Sequence, residues 1–184
     1  MSLKRWLFVA IFIFSGGVVA GLSSSEPATG LLGENLAALE EIADFLAPLP
    51  PSEVFVIIFL KNVSALLVSF LFSPLFCLVP VTALVINGWL LGLVSIMIVE
   101  QESLGYLLAG LLPHGIFELP AFFLGEAVAL SFGVTVMLAL FKKERGQIIR
   151  SSLRRNFKYL FVAILLLLPA AIIEAYITPL LLSR

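Results

Sequence analysis

Long apolar runs, separated by short clusters of proline, glycine and charge, set the plan of this chain. A helix crosses a hydrocarbon core of about 30 Å with roughly 20 residues. The runs predict five such spans, over 4–22, 53–72, 75–99, 115–140 and 159–181. After the first span, Ser23 to Gly33 reads as a loop. Glu34 to Leu46 then sets Leu36, Leu39, Ile42 and Leu46 at helical spacing against Glu40, Glu41 and Asp44. The pattern is an amphipathic helix, lying at the interface or lidding the bundle, and Pro48, Pro50 and Pro51 end it.

The run from Leu104 to Phe141 is too long for one crossing. Pro113 removes a backbone donor and biases Leu112 away from helix, which predicts a half-helix over 104–112 and a turn at His114-Gly115. At about 13 Å that piece cannot cross, so it is interfacial or re-entrant. Residues 142–158 form a basic loop carrying a short surface helix. The expected fold class is an all-α polytopic transmembrane bundle, residues 1–184 forming one integral membrane domain of five spans plus the half-helix.

Composition strengthens this: of 184 residues, 61% are hydrophobic and 12% charged, whereas soluble domains are about a quarter charged. The net charge of -1 hides a segregation. Acids collect between Glu26 and Glu53, while Lys142, Lys143, Arg145, Arg150, Arg154, Arg155 and Lys158 make seven of the eleven basic residues. Positive segments stay inside, so the expected protein is multi-pass in the plasma membrane, N-terminus cytoplasmic and C-terminus extracytoplasmic. The lipid bilayer is its first partner, and a nucleic-acid role is excluded. Val18-Val19-Ala20 resembles a processing site, but a retained first span is expected. The single Cys77, in an apolar stretch, reads as a small buried hydrophobe.

Against this background a few polar residues need a reason, because each uncompensated ionisable group at the bilayer centre costs about 2.5–3.5 kcal/mol. They are Lys61, Asn62, Asn87, His114, Glu118, Glu126 and Glu174. Counted at 1.5 Å per residue from the expected cytoplasmic ends, Glu126 lies about 22 Å deep, Glu174 about 24 Å and Asn87 about 18 Å. The reading is a shared polar site, with Lys61 paired to Glu126 or Glu174. Two GxxxG spacings, Gly17/Gly21 and Gly88/Gly92, read as close helix packing.

Three chemistries fit these residues. His114 and Glu118, four apart, share a helix face and with Glu174 supply nitrogen and oxygen ligands for zinc or another divalent metal, as in an intramembrane hydrolase. A proline-broken helix beside buried acids suits a transporter of an ion or small solute. Mutual hydrogen bonding would make the same layer a packing device for a scaffold, with membrane or envelope proteins or a second copy as partners. The chain has no nucleotide-binding loop, CxxC, HExxH or nucleophile elbow.

Lys61-Asn62, Asn87-Gly88 with Gly92, the stretch Leu112-Pro113-His114-Gly115-Ile116-Phe117-Glu118-Leu119-Pro120-Ala121, and Ile173-Glu174-Ala175-Tyr176-Ile177-Thr178-Pro179 occur in that order. Together they resemble the stage II sporulation protein M family, over about Phe55 to Pro179. The resemblance implies a five-span membrane protein. In spore-forming bacteria it implies a scaffold that recruits cell-wall hydrolases during engulfment, and many relatives belong to organisms that never sporulate.

Overall fold

A computed structural model describes residues 2–24, 41, 45 and 48–182, and every regular element among them is a helix. These are α1 (Leu3–Leu22), α2 (Pro51–Phe72), α3 (Leu78–Gln101), α4 (Leu104–Ala139), α5 (Arg145–Tyr176) and the short α6 (Thr178–Leu182). Five stretches are long and apolar enough to cross a membrane, α5 and α6 counting as one. Local chemistry fixes several starts. Pro51 stands at the first position of α2, where its missing N–H costs nothing, and Glu53 meets the positive end of the helix dipole. Ser103 caps α4, its hydroxyl accepting the Tyr106 N–H at 3.1 Å.

The central element is α4, which packs on every other helix named above. Gly125 to Gly133 is buried at every position, so this stretch is enclosed on all sides. On one flank Leu66 and Phe70 of α2 and Leu160, Ala163 and Leu167 of α5 pack against Ala121, Val128, Ala129 and Phe132. On the other, Trp6, Ala10 and Phe14 of α1 and Leu84 of α3 pack against Ala127 and Leu130.

The two GxxxG pairs are each other's partners. A Cβ on Gly17 would stand 2.5 Å from the Val85 carbonyl oxygen; one on Gly21 would collide with the Trp89 carbonyl, on Gly88 with that of Phe14, and on Gly92 with that of Val18. The contacts advance in step along both helices, so α1 and α3 run parallel, backbone on backbone. The α2–α4 pair is parallel too: Asn62 bonds Glu118 and Ser69 bonds Glu126, at separations of 56 and 57 residues. Five alternating crossings account for both pairs.

Three expectations change. The half-helix over 104–112 is not separate: α4 runs unbroken through Pro113 and Pro120. In a packed membrane bundle neighbouring helices tolerate the freed carbonyls, and leaving the helix would expose more backbone than proline does. The basic loop over 142–158 is mostly helix, because α5 begins at Arg145 and continues through Pro169 to Tyr176. The spans starting at 53, 75 and 115 begin instead at Pro51, Leu78 and Leu104, and that from 159 at Arg145. The amphipathic helix over 34–46 lies outside the described residues except for Glu41 and Phe45.

Between α2 and α3 the chain turns through Phe76 and Cys77, both at φ 55°. Left-handed backbone costs a residue with a Cβ about 1–2 kcal/mol. Cys77 is buried there, its thiol 3.8 Å from the Leu130 carbonyl oxygen, over the gap left by Gly133.

Candidate functional site

Near the middle of α2 and α3 lies a cavity of about 360 Å³. Its polar lining is Lys61 and Asn62 from α2, Asn87 from α3, and His114, Glu118 and Glu126 from α4. Phe14, Leu66, Leu91, Phe122 and Leu167 supply much of its apolar wall. Six of the seven residues singled out from the sequence thus meet around one space, and the seventh, Glu174, contacts one of the six.

Helix α4 sets the order of the acids. His114, Glu118 and Glu126 follow one another at four and eight residues, about one and two turns, and so lie on one face. From α5, Glu174 reaches this face at the upper end. His114 Nδ1 lies 2.5 Å from Glu174 Oε2, and its Nε2 lies 3.8 Å from Glu118 Oε2. Nδ1 is buried and makes no in-line hydrogen bond, so the adjacent carboxylate is its compensation. Each acid has a second partner: Asn62 donates to Glu118 Oε1 at 3.3 Å, and Thr178 donates to Glu174 Oε2 at 3.0 Å. The result is a linear chain, Asn62–Glu118–His114–Glu174–Thr178, across α2, α4, α5 and α6.

Glu126 stands apart at the other end of the cavity. It is 1% exposed, and its Oε2 accepts the Ser69 hydroxyl at 2.5 Å. Counting depth along the sequence sets Glu174 level with Glu126; the structure sets Glu174 against His114, about 18 Å further along α4. The difference arises because α5 starts at Arg145, beside the end of α4, rather than at Tyr159.

The expected Lys61 ion pair with Glu126 or Glu174 is not formed: among the described residues the ion pairs are those of His114. Lys61 is exposed at the cavity mouth, whose lining it shares with Glu118. Asn87 is exposed beside it and bonds back to the Ala83 carbonyl at 2.8 Å.

The metal set His114, Glu118 and Glu174 is brought together but does not form a chelate. The two imidazole nitrogens point away from each other and each meets a different acid. Among the described residues no three His, Cys, Asp or Glu side chains gather to hold a metal ion. The geometry is that of an imidazole set between two acids, and among the described residues zinc or another divalent ion has no assembled site.

Sequence reasoning missed Ser69, though a signal for it exists. Asn62 and Ser69 are two turns apart on α2, matching Glu118 and Glu126 two turns apart on the parallel α4.

Five apolar helices around a polar cavity define a polytopic integral membrane protein. The chain belongs to the stage II sporulation protein M family, whose sequence profile matches residues 6–179. It is 32% identical over 97 residues to an uncharacterized protein of Methanocaldococcus jannaschii, a match covering 52% of this chain and 54% of that protein. The chain thus aligns with about half the length of this curated relative. No solved structure matches it.

Proposed function

We propose that this protein is a membrane scaffold or assembly factor of the sporulation-protein-M type, with its basic end in the cytoplasm. The observation that carries this reading is the mouth of the cavity. Lys61 and Asn87 lie near mid-span, exposed, and Lys61 has no ion pair among the described residues. Charge at that depth is costly unless something covers it, and polar side chains on transmembrane faces are the groups that join helices. A partner helix seated between α2 and α3 would cover both residues.

A photo-crosslinking amino acid in place of Lys61 tests this, with one in place of Phe12, an exposed apolar residue of α1, as control. The scaffold reading expects one discrete protein adduct at position 61 and lipid adducts at position 12. Lipid adducts alone at both positions, in cells that express the protein natively, would sink it.

The acid–imidazole–acid chain favours a second reading, a carrier that moves protons or a coupled solute. Its test is acidification of proteoliposomes: a carrier shows flux that falls in Glu174→Gln and Glu126→Gln. Flux absent in the unaltered protein, or unchanged in both variants, removes it.

A further inference from the structure

The cytoplasmic reading of the basic segment explains its charge but not its arrangement. Arg150, Arg154, Arg155 and Lys158 recur at helical spacing along one face of α5, all four exposed. None has an ion pair among the described residues, although acidic Glu144 stands at the start of the same helix. They line an open groove of about 680 Å³ that continues onto Tyr159 and Val162. The groove therefore passes from cationic to apolar along the helix. The sequence changes in step: the last cation of α5 is Lys158, and the helix runs on through Phe161, Val162 and Ile164.

The opposite face fixes the direction of this groove. Ser152, Asn156, Leu160 and Ala163 are buried, and the Asn156 amide donates to the Ser152 hydroxyl at 3.1 Å. Because this face is held against the bundle, α5 cannot roll its cations elsewhere. Guanidinium groups present paired N–H donors that match phosphate oxygens, and a tyrosine ring suits the boundary between headgroup and acyl chain.

We infer that the groove along Arg150–Val162 binds an anionic phospholipid, its phosphate on the arginines and Lys158 and its first acyl carbons beside Tyr159 and Val162. Free phosphate would satisfy the cations but leave the apolar end of the groove unused.

The test is native mass spectrometry of the full chain in detergent with added dioctanoyl phosphatidylglycerol, dioctanoyl phosphatidylcholine or inorganic phosphate. The site predicts retained phosphatidylglycerol and little phosphatidylcholine or phosphate. Near a membrane surface each basic residue contributes enough for about a five-fold change, so R150Q/R154Q/R155Q lowers retention on the order of a hundredfold. R150K/R154K/R155K, which keeps the charge but not the paired donors, restores only part of it, and unchanged melting of both variants shows that they fold. Equal retention of the two lipids would overturn the proposal, as would effective competition by inorganic phosphate. An equal loss in K142Q/K143Q/R145Q, which removes cations off the groove, would reduce the effect to bulk charge and overturn it too.

Discussion

The two flanks of α4 are held in different ways. On the α1–α3 flank, four glycines remove side chains so that two backbones touch, and dispersion holds them together. On the α2–α5 flank, side chains reach across to one another through polar contacts: Ser69 to Glu126, Asn62 to Glu118, Glu174 to His114. Interhelical polar contacts in membranes average only about 0.6 kcal/mol, with the largest near 1.7. The polar flank is therefore a poor way to gain stability, and its cavity is better understood as serving something other than cohesion.

The comparison breaks most visibly at the glycines. Gly21→Leu should cost about 3 kcal/mol or more, because a side chain there meets the Trp89 carbonyl and Leu93 backbone, neither of which can swing aside. Melting in detergent should show this loss, whereas Gly16→Ala, facing open space, should leave the transition in place. Equal behaviour of the two would mean that α1 and α3 do not touch as described.

On the polar flank, Ser69→Val should cost about 1.5 kcal/mol, near the top of the range for such contacts, since it strips the hydroxyl donor from a carboxyl group that is 1% exposed. Glu126→Gln in the same background should recover part of that loss, and failure to recover would show that packing, not the hydrogen bond, was measured. Phe76→Gly, in the turn between α2 and α3, should raise stability by about 1 kcal/mol by relieving the φ of 55° in an exposed residue. The smallest effect belongs to Asn62→Leu, about 0.6 kcal/mol in melting. A loss several times larger would place the polar flank beside the glycines as a source of cohesion.

Much of this is legible in the order of residues, and the departures have physical causes. Five spans follow from apolar length, and both glycine pairs are visible as packing sites, although their spacing does not say that α1 and α3 choose each other. Pro113 misleads because its effect in water does not carry over to a helix shielded from water, where the helical state has no competitor. Glu174 reads as too deep because charge marks where lipid ends, whereas helix α5 starts earlier, at Arg145. The seven polar positions stand out because buried charge is costly, but their pairing does not. Which acid meets His114 depends on helix register, which composition does not encode.

Helix α5 has 32 residues, about 48 Å of rod, against a hydrocarbon core of about 30 Å. Its first turns carry the basic residues, while Glu174, near its other end, meets His114 on a helix running the opposite way. A thinner or thicker bilayer changes the tilt at which such a rod matches its surroundings. Any sliding of α5 against α4 would change the distance between His114 and Glu174, the contact that joins the far ends of the two rods.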